Sequence, residues 1–282
     1  MTTIIPAMIS GSESLSKVAS QGMPAVFVSH GAPTLAVEEN DTTDFLKKLG
    51  RELGRPEAVL CVSAHWNTSA PSVSAAERPR TIHDFGGFAE ELYRISYPAP
   101  GAPALAARAV ELLGDAGIGC SAEPERGLDH GAWVPLRLMY PDADVPVAQL
   151  SIQPRLDLEH HVSVGRALAP LRREGVLLLA TGSATHNLSM LGPGGPPPVW
   201  AGEFDEWLFR RVTEGNLDEL LNYRSLAPHA GLAHPTDEHL LPLFVALGAG
   251  SDGEGIRAGR ALHRGWTVGS LSMAAYDFGS AV

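Results

Sequence analysis

Apolar residues along this chain follow two rhythms, and their order points to the fold class. One rhythm is short and continuous, rich in β-branched residues: positions 24–29, 59–66, 145–152 and 176–180. Runs of that length in which apolar residues dominate read as strands buried on both faces, the kind found in mostly parallel sheets. The other rhythm has helical spacing, as in Phe45, Leu46, Leu49 and Leu53, then Leu105, Ala109, Leu112 and Leu113. Further helices are expected over 156–173 and 204–212. Pro56 ends the first helix and Pro103 starts the second, positions where the missing N–H does least harm. Strand, helix and strand in succession make βαβ units, which are normally right-handed. The expected fold is a single α/β domain with a central mostly parallel or mixed sheet flanked by helices.

Weaker patterns complete the outline. Residues 72–76 suggest a short strand and 267–276 a last one. A helix is expected to begin within 235–239, capped by Thr236, with Pro242 in its first turn. Residues 81–88, 127–133 and 192–198 are expected as loops, and His160 and His161 on a solvated helix face. Residues 1–22 lack periodic apolar positions and read as a flexible N-terminal extension or an arm onto a neighbouring subunit, leaving 23–282 as the folded domain.

Composition narrows the function. A formal charge of -11 argues against a nucleic-acid partner. No apolar run approaches the ~20 residues of a membrane helix, and residues 1–22 do not have the charge and apolar core of a signal peptide. Only Cys61 and Cys120 are present, and Cys61 falls inside a strand, so a cytoplasmic protein without disulfides is expected.

The histidines carry the chemistry. His30 and His65 each end an apolar strand, and His186 follows a third. In open α/β sheets, ligands bind beyond the carboxyl ends of the strands. Three strands delivering imidazole to one edge suggest a metal site, with His239 at the helix start and His130 nearby on a loop. Neutral imidazole suits Zn, Cu, Fe or Ni. None of the spacings is a zinc-finger or H-E-x-x-H pattern, so the agreement of strand ends carries the inference.

Several motifs occur in a fixed order: Ser29-His30-Gly31, Ser63-Ala64-His65-Trp66, Ile82-His83-Asp84-Phe85-Gly86-Gly87-Phe88, Tyr97-Pro98-Ala99-Pro100-Gly101, Asp129-His130-Gly131-Ala132-Trp133, His186-Asn187-Leu188 and Glu238-His239-Leu240-Leu241-Pro242. Together, from about Pro24 to near the C-terminus, they resemble the class III extradiol ring-cleavage dioxygenases, and within them the DOPA 4,5-dioxygenase-like group. The resemblance implies a non-haem Fe(II) enzyme that opens a catechol ring beside its two hydroxyls with O2. It implies His30, His65 and His239 as metal ligands, and His186 as the acid/base, or as a fourth ligand where zinc replaces iron. His130 would contact a substrate hydroxyl or oxygen, and His83 and Phe85 would shape the substrate pocket. One feature departs from the usual facial triad of two His and one carboxylate: the third ligand position is His239. Glu238 is adjacent and is expected to point elsewhere on a helix. His229 and His234 are expected as loop or supporting residues. A small-molecule catechol and O2 are the implied partners, and self-association is left open. Two competing readings use the same histidines: a zinc hydrolase with Ser183 or Asp129 nearby, and a metal-binding protein that acts through a partner surface.

Overall fold

The computed structural model describes residues 22–251 and 255–279; the extension expected over residues 1–22 lies outside them apart from Gly22. Strands β1 (Ala25–Ser29), β2 (Ala58–Asn67), β3 (Ser72–Ser74), β4 (Ser121–Glu123), β5 (Val147–Ile152) and β6 (Val176–Gly182) come first in chain order. They are followed by β7 (Arg260–His263), β8 (Trp266–Thr267), β9 (Leu271–Ser272) and β10 (Ala275–Phe278). An eight-stranded sheet runs β4-β3-β5-β2-β6-β1-β10-β7, and β8 pairs with β9 separately. Its centre, β5-β2-β6-β1, is parallel throughout. Strands β10 and β7 add antiparallel pairs at one side, and β3 pairs antiparallel with β5 at the other. The sheet is therefore mixed around a parallel core, as expected for a single α/β domain.

The longer helices are α1 (Asp41–Leu53), α2 (Pro103–Asp115), α3 (His130–Met139), α4 (Leu158–Leu168), α5 (Val199–Glu214) and α9 (Leu241–Ala249). Three short ones, α6 (Leu217–Leu221), α7 (Tyr223–Leu226) and α8 (Ala230–Ala233), fill the stretch between α5 and α9. Strand periodicity divides the core in two. Ala25, Phe27, Leu60, Val62 and Leu178 face a cluster that includes residues of α2, α4, α5 and α9. Val26, Val28, Val59, Cys61, Leu177 and Leu179 face the other, built on α1 and α3. Every residue of β1, β5 and β6 is buried, which explains why apolar residues dominate their sequences.

Several local expectations change. The 156–173 helix is two pieces: α4 ends at Leu168 and Pro170 lies in the 3-10 turn Ala169–Glu174 that follows. The last strand breaks into β8, β9 and β10 because Val268 and Gly269 both take positive φ and turn the chain. His161 is fully buried rather than solvated, while His160 is half-buried. Thr236 caps nothing: residues 235–240 form turns, Leu240 precedes the first residue of α9, and Pro242 sits in its first turn.

Candidate metal centre

Period-2 alternation continues past the core and aims the histidines. Val59, Cys61, Ser63 and His65 fall on the α3 side of β2, and Val26, Val28 and His30 follow the same side from β1. Because the two strands share one direction in the sheet, both rings emerge at one edge. The third ring comes by a different route. His239 lies in the turn before α9, and its carbonyl accepts from Ser183 N at 2.9 Å, just beyond β6. Gly182 permits this approach, since a Cβ there would stand 2.1 Å from the His239 carbonyl oxygen.

The three rings converge nitrogen to nitrogen. His65 Nε2 lies 3.1 Å from His30 Nε2 and 3.3 Å from His239 Nε2. Burial pushes all three imidazoles toward the neutral form: His65 down to about 4, and His30 and His239 well below the usual histidine range. Neutral rings at such distances can pair as N–H donor and lone-pair acceptor only two at a time, whereas a cation at their meeting point takes all three lone pairs at once. Three neutral Nε2 atoms at one point fit a bound cation.

Around them stand the other predicted residues. His186 stacks flat on His239, ring centroids 3.4 Å apart and planes 6° from parallel. Its backbone N–H donates to Ala233 O at 2.9 Å, and burial brings its ring down to about 4 against the opposing charge of Glu238. His130 is not on a loop: it is the first residue of α3, whose start is capped by Asp129 accepting from Ala132 N at 3.2 Å. Its ring lies 4.0 Å from that of His65 and 5.4 Å from that of His30. Gly131 makes room for this packing, because a Cβ there would lie 2.9 Å from His65 Cδ2.

The 81–88 segment is an ordered loop, as expected. Trp133 Nε1 donates to Ile82 O at 3.0 Å, and His83 Nε2 lies 3.0 Å from Ile95 O. Phe85 meets His130 edge-on at 5.6 Å and gathers Phe88 at 5.5 Å and Tyr93 at 5.0 Å into an aromatic wall. His83 stands behind that wall, 5.7 Å from Phe85, rather than beside the three converging rings.

Two carboxylates were missed or misplaced by the sequence reading. Asp84 Oδ1 accepts from His130 N at 2.9 Å and lies 3.0 Å from His130 Nδ1, while Oδ2 is 3.4 Å from His65 Nδ1. Burial tends to raise the Asp84 carboxyl, but the His130 bonds outweigh it and hold the group at about 2, so it is ionised. A carboxylate within a His-Asp-Phe run was the available signal. Glu238 does not point away: Oε1 is 3.3 Å from His239 Nδ1 and accepts from Thr236 Oγ1 at 2.9 Å. The helix that would have turned it aside begins only at Leu241.

His229 and His234 take the supporting places expected of them. His229 pairs with Glu203 at 2.8 Å on the surface, while buried His234 lies 2.9 Å from Ala184 O and steadies the turn that leads to His186. The hydrolase candidates are engaged elsewhere. Ser183 Oγ donates to Thr185 O at 2.7 Å. Asp129 accepts from Ser63 Oγ at 2.6 Å, from Arg126 Nη2 at 2.7 Å and from Gln149.

Comparison with known proteins gives the family. Residues 24–278 match the family described as the catalytic LigB subunit of aromatic ring-opening dioxygenase. The chain belongs to this family. A 4,5-DOPA dioxygenase extradiol of Beta vulgaris is 45% identical over 264 residues, covering 90% of this chain and 96% of the relative. One from Escherichia coli K12 is 44% identical over 270 residues, covering 93% and 97%. A crystal structure of an uncharacterized protein from Escherichia coli K12 superposes with a TM-score of 0.76 at 40% identity, covering 91% of this chain and all of that one. The protein is thus an extradiol dioxygenase of the DOPA-like group of class III, an enzyme that opens aromatic rings with O2.

Proposed function

We propose that this dioxygenase uses Fe(II), held by His30, His65 and His239, to open a catechol-type ring next to its two hydroxyls. The convergence of three neutral Nε2 atoms, at 3.1 and 3.3 Å, carries the reading. Iron bound there would supply the Lewis-acid and one-electron chemistry that O2 activation requires. Three protein ligands leave coordination positions free for other groups.

The remaining work falls to the chain's own side chains. His186, neutral at pH 7 and with no ring hydrogen bond to the described protein, can take a phenolic proton and later return one. His130 has Nδ1 occupied by Asp84, which leaves Nε2 to meet a substrate hydroxyl or oxygen. Phe85 offers an edge against which an aromatic substrate can pack, with His83 fixing the loop that carries it. A catechol, anionic once bound, suits an all-histidine centre better than a neutral ligand does. The unpaired cysteines, Cys61 and Cys120, accord with a cytoplasmic enzyme.

The test is anaerobic reconstitution with Fe(II), followed by a catechol panel under air, read by O2 uptake and a rising visible absorbance. DOPA belongs first on that panel because the relatives carry it in their names. O2 consumed in step with ring opening is expected. Turnover that needs Zn and no O2 would overturn the reading in favour of a hydrolase.

A further inference from the structure

One carboxylate serves two histidines at this centre. Asp84 reaches His130 through Oδ1, at 2.9 Å from its backbone N and 3.0 Å from Nδ1, and faces His65 Nδ1 through Oδ2 at 3.4 Å. The His65 distance is too long for a strong hydrogen bond, so Asp84 acts there mainly through its charge. A negative charge beside Nδ1 favours the tautomer with its proton on that atom. Nε2 then carries the lone pair, and Nε2 is the atom that faces His30 and His239. Behind His239, Glu238 Oε1 stands 3.3 Å from Nδ1 in the same relation. His30 differs, with a buried Nδ1 that has no hydrogen-bond partner among the described residues.

We propose that Asp84 is the positioning residue of the centre, setting His65 and His130 together in the Nδ1-protonated tautomer. The inference rests on the metal reading of His30, His65 and His239. It explains how an all-histidine set can do without the carboxylate of the usual facial triad. The anionic group is moved outward, where it tunes a ligand instead of being one. It also couples metal to substrate: the group that prepares His65 as a ligand prepares His130 as an acceptor.

Asp84→Asn isolates this role, since it keeps the shape and removes the charge. The asparagine Oδ1 can still accept from His130 N. Its amide then turns N–H toward His65 Nδ1, which rewards the opposite tautomer and places a proton on Nε2. Asp84→Ala removes more contacts but leaves space for water to accept from Nδ1. The experiment is a competition titration of metal-free wild type, Asp84→Asn and Asp84→Ala with Zn(II) and, anaerobically, Fe(II). Circular dichroism checks the fold, and nitrogen-15 NMR of the imidazoles reads their tautomers.

Asp84→Asn should fold as the wild type does, bind metal about 10–100-fold more weakly, and show His65 protonated at Nε2 when metal-free. Asp84→Ala should bind no more weakly than Asp84→Asn, although it is the less stable protein. Metal binding by Asp84→Asn as tight as that of the wild type would overturn the proposal and leave the metal reading intact. So would weaker binding by Asp84→Ala than by Asp84→Asn, the order expected of a purely structural contact. A second metal equivalent in the wild type that Asp84→Asn loses would overturn it too, making Asp84 a ligand with His65 and His130. A wild type that takes up no metal would overturn both readings.

Discussion

Two regions of this molecule bury histidines, and they do so to different ends. His161, in α4, is fully buried, as deep as His30 and His239 at the strand-end centre, which are 2% and 5% exposed. Burial lowers the basicity of all three. The partners differ. His161 Nε2 accepts from Gln153 N at 3.2 Å, and its Nδ1 lies 2.8 Å from Asp157 O, one acceptor and one donor as a neutral ring requires. At the centre, ring nitrogens meet ring nitrogens. Depth and lowered basicity therefore do not mark a ligand; the convergence of three ring nitrogens on one point does.

The sharpest way to break this contrast is to delete one ring from each region. His65→Ala should abolish metal binding and reduce turnover to background while circular dichroism shows the fold retained, and His239→Ala should do the same. Elemental analysis showing full metal occupancy in either variant would place the ligands elsewhere. Next in size comes His186→Ala. It should keep its iron and lose turnover by ~10²–10⁴-fold, the range for a lost acid–base group. Single-turnover rates measured beside iron content decide it: an iron-free His186→Ala with an iron-replete His239→Ala would exchange the two roles.

The contrast also shows what could be read in the sequence. The strands were legible because burial on both faces favours apolar residues throughout, as in Val176 to Ala180 of β6. That His30, His65 and His186 lie at one edge followed from parallel strands alone. His239 was legible as a candidate but not the way it is held, which depends on Gly182 admitting its carbonyl from a segment far along the chain. Glu238 was misplaced because the helix start was set too early, and a shift of a few residues reverses the direction of a side chain. Asp84 was passed over because its two partners are distant in sequence. His161 looked solvated because its carbonyl and amide partners, backbone groups of Asp157 and Gln153, leave no trace in side-chain pattern.

A third change acts on the structural region alone. His161→Phe keeps an aromatic ring but leaves the buried Gln153 N without its partner, at a cost of about 1–3 kcal/mol. Urea unfolding should show a loss of that order, with metal content and turnover per iron unchanged. A variant as stable as the wild type would mean that water replaces the ring's bonds.

The smallest effect is in the pH dependence of stability. Burial, the largest influence, takes His161 down to about 4 despite the backbone bond to Asp157 that favours its charged form. In the unfolded chain it should titrate near ~6.5. Between these values the unfolded state binds a proton that the folded state does not. Stability therefore rises with pH across this window and is lost as the solution is acidified through it. A single such group contributes a slope of at most about 1.4 kcal/mol per pH unit. His234, also taken down to about 4 by burial, adds a similar term that the His161 variant leaves in place. Comparing metal-free wild type with metal-free His161→Phe cancels that term and those of the centre. From neutral pH to about pH 5, the variant should lose less stability than the wild type, by part of one proton's worth. Parallel losses in the two proteins would show that His161 takes up its proton while folded, and that its two matched bonds do not hold the ring neutral.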